Sequence, residues 1–254
     1  NNMKKGKVLL ISAMLSLAGN AVAQDSGELI DLLPDGVTAN INPERKWDKQ
    51  KNLVVAGSPE KGYKAFFAAS DGEHGEELWV TDGTKEGTHM VADIIPGSNS
   101  SEPCYISRFN DKVLFSAYTD DYGRETYISD GTEEGTILLA DTYILGDGDP
   151  KAFIQMDENH AVFAATDDES AEYDIVRGPQ QWLWITDGTP EGTYRLYDCD
   201  MRWPGQDNTT LHTAYVRVGR RVFFKADNKD GTTGEELWVT DGTTEGTYCV
   251  MDIN

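Results

Sequence analysis

The chain has 254 residues and carries 44 acidic against 22 basic side chains, so its formal net charge is −22. A surface this acidic repels nucleic acid and anionic membranes, which removes both from the expected partners. After the first 23 residues, no stretch is apolar for long enough to cross a bilayer as a helix. Solubility outside the cell is the preferred explanation of this charge, and attraction of cations or basic partners is the alternative.

The first 23 residues have the layout of a secretory signal peptide. Lysines at positions 4, 5 and 7 precede an apolar run over residues 8–18, and the small-residue sequence AVA ends at Ala23. We therefore predict export to the periplasm, the cell surface or the medium. Cleavage leaves 231 residues with a net charge of −25, since three lysines are removed. Residues 24–50 form an arm before the first clear repeat.

The three cysteines of the chain are Cys104, Cys199 and Cys249. An exported domain that depends on disulfides usually has an even and denser set of cysteines. We expect these three to be buried and unpaired, as small apolar side chains.

One motif occurs four times along the chain. It appears as GEELWVTDGTKEGT (75–88), RETYISDGTEEGT from Arg124, QQWLWITDGTPEGT from Gln180 and GEELWVTDGTTEGT from Gly234. The Asp-Gly-Thr triplets begin at Asp82, Asp130, Asp187 and Asp241, so the steps are 48, 57 and 54 residues. A period of this length is typical of propellers and other repeat arrays. The expected repeats cover residues 51–95, 103–143, 150–199 and 210–254.

Each repeat contains four predicted strands joined by short connections rich in Gly, Asp and Asn, as antiparallel hairpins require. The second strands, such as AFFAA at residues 65–69, are nearly continuous apolar runs, and the third strands carry apolar residues on both faces. Both faces of each sheet should therefore be covered. Blades around an axis satisfy this condition. The predicted fold is all-β, a β-propeller of four-stranded antiparallel blades.

The pattern Glu-Leu-Trp-x-x-Asp-Gly-Thr-x-x-Gly-Thr, followed by a strand that ends in Asp-Ile, resembles the ELWxxDGT repeat proteins of bacteria. The resemblance covers about residues 51–254. It weakens in repeat two, which has Thr126-Tyr127 for Leu-Trp, and in repeat three, where Trp182 replaces the leading Glu. The resemblance implies export and a propeller-like fold, and it carries no established chemistry.

The repeated residues have structural explanations. The aspartates Asp82, Asp130, Asp187 and Asp241 head a hairpin and are expected to accept turn N–H groups, while the following glycines supply positive φ. A catalytic carboxylate is needed once and not once per repeat, so we assign no catalytic residue.

The aromatic column Trp79, Tyr127, Trp184 and Trp238 should fill the space between blades. The column Asp93, Asp141, Asp198 and Asp252 should protect the outer edge strand from pairing. No metal site and no cofactor are predicted.

Function on a repeat scaffold is expected where the copies differ. Repeat three has nine extra residues between its second and third strands, and four extra residues separate repeats three and four. In a propeller both insertions lie on one face, which makes them candidate recognition loops. Neutral variation of surface loops is the alternative. The candidate ligand-binding residues are Asp167, Asp168, Glu172, Tyr173, Arg177, Arg202, Trp203 and Gln206.

We therefore expect an exported, non-enzymatic binding or scaffold module for glycan or protein. The alternative is a propeller-type glycoside hydrolase or lyase that uses carboxylates on the inserted-loop face. Residues 29–33 resemble the end of repeat one, with Asp31 at the place of Asp93, and we interpret them as the last strand of a further blade. The four repeats are thus expected to belong to a larger propeller that continues beyond Asn254. The competing possibility is a closed ring of four blades, in which residues 24–50 would pack as an irregular arm.

Overall fold

A computed structural model of the protein describes residues 32–40, 51, 53–168, 180–201 and 215–252. Within these ranges there are eighteen β-strands. No helix in this part of the chain is long and apolar enough to cross a membrane. The strands form four antiparallel sheets, which follow one another along the chain. This confirms the all-β class and the four antiparallel four-stranded sheets predicted from the sequence.

Sheets 1 and 2 contain the first two repeats. Sheet 1 consists of β1 (Thr38–Asn40), β2 (Val54–Ser58), β3 (Gly62–Ser70), β4 (Glu76–Thr81) and β5 (His89–Met90). Sheet 2 consists of β6 (Cys104–Phe109), β7 (Lys112–Thr119), β8 (Gly123–Ser129) and β9 (Ile137–Ala140).

Sheets 3 and 4 contain the last two repeats. Sheet 3 consists of β10 (Lys151–Gln155), β11 (Ala161–Ala165), β12 (Trp182–Thr186) and β13 (Tyr194–Tyr197). Sheet 4 consists of β14 (Cys199–Asp200), β15 (Tyr215–Val218), β16 (Arg221–Asn228), β17 (Glu236–Thr240) and β18 (Tyr248–Met251).

In sheet 1 and again in sheet 4, two short strands take the place of a single first strand. In sheet 1, β1 pairs with one end of β3 (Asn40 opposite Ala68) and β2 pairs with the other end (Val54 opposite Phe66). In sheet 4, β14 and β15 divide the edge of β16 in the same way. Sheets 2 and 3 have a register shift within their first strand instead, where the strand bulges. The first strand is thus interrupted in all four repeats.

The repeat boundaries differ from the expected ones for this reason. The first described strand of sheet 1 begins at Thr38 and not near residue 51, and the first strand of sheet 4 begins at Cys199 and not near residue 210. Strands of two or three residues are too short to show an alternating pattern in the sequence. Cys199 was expected at the end of repeat three and Asp200 between repeats three and four, whereas both belong to sheet 4.

Successive sheets pack face to face. We call the face of each sheet that bears Leu78 or its equivalent the forward face, and the face that bears Trp79 or its equivalent the rear face. The forward face of each of the first three sheets packs against the rear face of the next. Between sheets 1 and 2, Phe66 and Leu78 pack against Phe115 and Tyr127. Between sheets 2 and 3, Leu114 and Ile128 pack against Phe163. Between sheets 3 and 4, Leu183 packs against Phe224 and Trp238. Three members of the aromatic column, Tyr127, Trp184 and Trp238, therefore pack between sheets, as predicted, whereas Trp79 lies on the outer face of sheet 1.

The two outer faces of the array differ. The rear face of sheet 1, with Phe67 and Trp79, is covered by Leu33 and Val37. Residues 29–31 of the predicted blade-closing strand lie outside the described residues. The forward face of sheet 4 is open, because Leu237 is 43% exposed.

None of the three cysteines forms a disulfide bond. Cys104 and Cys199 are buried, as predicted, and Cys249 is half-buried. Burial raises the pKa of the Cys199 thiol far above its usual range. These side chains act in packing.

Candidate functional site

The Asp-Gly-Thr turns are held by a repeated set of hydrogen bonds. Asp82 Oδ1 accepts the backbone N–H of Thr84 at 2.9 Å and its hydroxyl at 2.7 Å, and Thr84 Oγ1 accepts the N–H of Gly87 at 2.9 Å. The same three bonds recur in the other repeats, from Asp130, Asp187 and Asp241. These are the turn hydrogen bonds expected from the sequence.

Two further properties show that these aspartates serve the turn. Hydrogen bonds from the threonine hydroxyl lower the pKa of Asp82, Asp187 and Asp241, so that the carboxylates stay ionised. A Cβ atom on Gly87 would lie 2.1 Å from Asp82 Oδ1, so only glycine fits beside the carboxylate. The aspartates are engaged within their own loops.

A buried glutamate in the third strand fastens the connection to the next sheet. Glu77 accepts the N–H of Ser101 at 3.0 Å and of Ile94 at 3.3 Å, and the Ser101 hydroxyl also donates to it. Glu125 accepts the N–H and the hydroxyl of Thr142, each at 2.8 Å, and the N–H of Gly148 at 2.8 Å. Both glutamates are fully buried, and burial raises the pKa of each to about 7.

Sheet 3 replaces this glutamate with Trp182. The indole N–H of Trp182 donates to Asp167 Oδ1 at 3.0 Å, and Arg195 Nη1 lies 2.8 Å from Asp167 Oδ2. Asp167 is 8% exposed. This predicted ligand-binding residue therefore has both carboxylate oxygens engaged with neighbouring side chains, and its position indicates a structural role.

The remaining predicted ligand-binding residues divide into two groups. Asp168 is exposed, and its charge adds to the effect of burial in raising the pKa of Asp141. The other candidates lie outside the described residues: Glu172, Tyr173, Arg177, Arg202, Trp203 and Gln206. The described chain thus brings together none of the predicted set beyond the neighbours Asp167 and Asp168.

The second aspartate column follows the fourth strand and does not lie in it. Asp141 comes directly after β9, and Asp93 lies three residues after β5. Asp93 Oδ2 accepts the N–H of Gly97 at 3.2 Å, whereas Asp198 contacts Arg195 and Lys229. Asp93, Asp141 and Asp198 are half-buried just past the fourth strand, which differs from the expected role on an exposed strand edge.

A polar cavity lies at the end of sheet 2 where β7 leads into β8. We call it the linker cavity, because residues of the connection between sheets 1 and 2 form much of its wall. Its volume is about 620 Å³. The polar side chains in its wall include Ser98, Asn99, Glu102, Tyr118, Asp120 and Asp147.

Hydrogen bonds fix the walls of the linker cavity. The buried Arg124 side chain lies 2.9 Å from Glu102 Oε2, and its backbone N–H donates to Asp147 Oδ1 at 2.8 Å. The N–H of Tyr118 donates to the carbonyl of Ser101 at 2.7 Å. The cavity thus presents three carboxylates with one arginine, together with amide, hydroxyl and phenol groups, and these contacts hold Glu102, Arg124 and Asp147 in place. Such a lining suits a ligand rich in hydroxyl donors.

The described ranges hold no group of three or more His, Cys, Asp or Glu side chains that could bind a metal ion.

Sequence reasoning missed both the buried glutamates and the linker cavity. The sequence did contain a signal for the buried glutamates, because a Glu recurs two residues before the aromatic residue of the third strand. The linker cavity joins residues 98–102 with residues 118–124 and Asp147. No short motif marks this combination, because the residues come from three separate connections.

Compared with models of known protein families and with curated proteins, the chain matches none of them. The resemblance to ELWxxDGT repeat proteins therefore depends on the repeated motif alone.

Proposed function

We propose that the protein is an exported, non-enzymatic binding module whose sheets are arranged as propeller blades and whose linker cavity binds a glycan. The observation that carries the proposal is the lining of this cavity, where carboxylate, amide and hydroxyl groups lie together with a single aromatic ring. Sugar hydroxyls can donate to the carboxylates and accept from the amide, and a sugar ring can lie on Tyr118.

The propeller arrangement is supported by the order of the sheets. They pack in chain order, and their first strands are neighbours, since β2 contacts β6, β6 contacts β10, and β10 contacts β15. Antiparallel blades whose first strands adjoin are the arrangement of a propeller. No closed ring is formed by the described residues. Export is supported by the signal-peptide layout of residues 4–23.

The structural roles of the repeated aspartates and glutamates favour a binding function over catalysis. The turn aspartates accept hydrogen bonds within their loops, and Glu77 and Glu125 hold the connections between sheets. These carboxylates are used for structure, so repetition of the motif supplies a scaffold and not a set of reactive groups. A hydrolase or lyase remains the alternative that the experiment must distinguish.

The test is a glycan array screened with the secreted chain, followed by titration of the strongest neutral glycan. Asp120→Ala and Tyr118→Ala should each weaken binding at least tenfold. The matched control is Asp121→Ala, which removes an exposed carboxylate from the same loop but not from the cavity wall. Thermal melting of each variant separates lost contacts from lost structure.

Two results would contradict the proposal. If Asp120→Ala binds as well as Asp121→Ala, the linker cavity is not the glycan site. If incubation with the bound glycan releases new reducing ends, and Glu102→Gln abolishes the release, the protein is a hydrolase. A protein captured in a pulldown in place of any glycan would favour the protein-binding form of the module.

A further inference from the structure

A second cavity lies at the opposite end of the sheets. Strand β7 runs from Lys112, beside this second cavity, to Thr119, beside the linker cavity. The second cavity has a volume of about 710 Å³ and lies among the first hairpins of sheets 2, 3 and 4. We call it the arginine cavity. The side chains that matter are Arg108, Asn110, Gln155, Asp157, Arg217 and Arg220.

Three guanidinium groups meet at this cavity, although acidic residues outnumber basic ones by 44 to 22 in the chain. Arg108 belongs to β6, Arg217 to β15, and Arg220 to the hairpin that follows β15. Asp157 and Glu158 are the acids in the wall, so the arginines outnumber the carboxylates there. The cavity is therefore a local positive site on a negative protein, which attracts a small anion.

The arginines are positioned by few bonds. Arg108 donates Nε to the carbonyl of Asn110 and Nη2 to the carbonyl of Gly57, both at 2.9 Å. Arg217 donates Nη1 to the carbonyl of Gln155 at 3.1 Å, and Arg220 Nη2 lies 3.0 Å from Asp157 Oδ2. A guanidinium has five N–H donors. Contacts with the described residues thus occupy one or two donors on each arginine, and the others can bind a ligand.

The wall between the arginines is rigid. The backbone N–H of Asn110 donates to Gln155 Oε1 at 3.0 Å, and Asn110 Nδ2 donates to the carbonyl of Glu158 at 2.7 Å. Asp157 Oδ1 accepts the N–H groups of Asn159 and His160 at 2.8 and 2.9 Å. The two bonds of Asn110 cross from the first hairpin of sheet 2 to that of sheet 3, and those of Asp157 hold the second hairpin itself. The part of the wall that lies between Arg108 and the arginines of sheet 4 is therefore fixed before any ligand binds.

The lining also limits the kind of anion. Planar guanidinium groups match the two oxygens of a carboxylate and form strong charge-assisted hydrogen bonds with it. Apart from Met156, the wall side chains are polar or charged, which fits a hydroxylated body better than an apolar one. The net charge of −22 opposes long polyanions such as nucleic acid. A small ligand with a single carboxylate avoids most of this repulsion.

We propose that the arginine cavity is a second binding site, specific for a carboxylate-bearing sugar. Arg217 and Arg220 bind the carboxylate, Arg108 adds a donor from the opposite wall, and the amide and carbonyl groups between them accept the hydroxyls. This site is independent of the linker cavity, since the two lie at opposite ends of the same sheets.

The test is calorimetric titration of the secreted chain with galacturonic acid, galactose, inorganic phosphate and an acidic peptide. Galacturonic acid should bind saturably at one site, and galactose should bind at least tenfold more weakly. Arg217→Ala and Arg220→Ala should each weaken galacturonic acid binding at least tenfold. Arg217→Lys should recover only part of it, because the charge remains and the planar fork is lost. The control Arg221→Ala removes a neighbouring exposed arginine that does not line the cavity, and it should bind normally.

Several outcomes would overturn the proposal. Equal binding of galactose would show that the carboxylate is not recognised, and tighter binding of phosphate or of the acidic peptide would assign the site to another ligand class. Unchanged binding in Arg220→Ala, whose side chain is 78% exposed and therefore dispensable for folding, would place the ligand elsewhere. Loss of neutral glycan binding in Asp120→Ala, with galacturonic acid binding retained, separates this site from the linker cavity.

Discussion

The carboxylate of Glu125 accepts the backbone N–H of Gly148 at 2.8 Å, across 23 residues of the chain. Between these two residues lie the turn, the fourth strand and the connection to sheet 3. The same carboxylate also binds Thr142, so one buried acid fixes both ends of that connection. Glu77 does the same between sheets 1 and 2. Packing of one sheet on the next thus depends on a side chain in the interior of the earlier sheet.

Glu125→Ala should destabilise the protein strongly. The substitution leaves the N–H of Thr142, its hydroxyl and the N–H of Gly148 without their acceptor in a buried place. Each buried donor that loses its partner costs about 1–3 kcal/mol, so we expect a loss of at least about 2 kcal/mol in the free energy of unfolding. Denaturant titration measures it. Glu134→Ala, an exposed turn residue, is the control, and equal stability of the two variants would contradict the assigned role.

The buried glutamates should also make stability depend on pH. Burial raises the pKa of Glu77 and Glu125 from 4.5 to about 7 in the folded protein. Between these two values the folded state holds protons that the unfolded state has lost. The stability that the protonated carboxyls contribute is therefore fully present below pH 4.5 and is lost as the pH rises through about 7. The slope is at most about 1.4 kcal/mol per pH unit for each proton.

Comparison of the wild-type protein with Glu77→Gln and Glu125→Gln isolates this effect from the general repulsion of an acidic chain. Each variant lacks one titrating group, so its free energy of unfolding should fall less steeply between pH 4.5 and 7. Chemical denaturation at several pH values provides the measurement. Parallel curves for the wild-type protein and both variants would show that these carboxyls do not titrate in this range.

Asp187→Ala should lower stability without changing ligand binding. It removes the acceptor for the N–H and the hydroxyl of Thr189, at 2.9 and 2.7 Å, in a turn that faces solvent. The expected cost is about 1 kcal/mol, because water can replace the lost partner in part. Glu191→Ala is the control in the same turn, since that side chain is exposed. A variant with normal stability that no longer binds ligand would mean that the turn is part of a site.

The contrast between these residues shows what the sequence can predict. Asp187 and Thr189 are two positions apart, so the pattern Asp-Gly-Thr contains the whole interaction and its geometry follows from local turn chemistry. Glu77 binds Ser101, 24 residues away, and Glu125 binds Gly148. Since the partners of the glutamates are distant and differ between repeats, the repeated Glu is visible in the sequence while its function is not.

The cavities and the split first strands depend on even more distant contacts. Arg108 and Arg217 are 109 positions apart in the sequence, and only the order of the sheets brings them to one cavity. Strand β14 has two residues, and pairing with β16 alone places it in sheet 4. Periodicity predicts that sheets exist and which residues they bury. It does not locate residues that belong to a sheet only through a partner strand.

The open forward face of sheet 4 leads to the last prediction. Leu78, Leu183 and Leu237 hold equivalent positions, each directly before the aromatic of the third strand. Leu78 and Leu183 are fully buried under the next sheet, whereas Leu237 is 43% exposed. Val216 and Met251 on the same face are 55% and 62% exposed. The free energy of unfolding should therefore respond very differently to the same substitution at these positions.

Leu183→Ala should cost about 2–5 kcal/mol, because it removes buried methyl groups and leaves a cavity between sheets 3 and 4. Leu237→Ala should cost less than about 1 kcal/mol, since its side chain is partly in water in the folded state as well. Leu78→Ala serves as a second buried position and should behave like Leu183→Ala. Denaturant titration of the three variants provides the comparison. A loss for Leu237→Ala as large as for Leu183→Ala would show that this face is covered in solution, by another copy of the chain or by a sheet that closes the array.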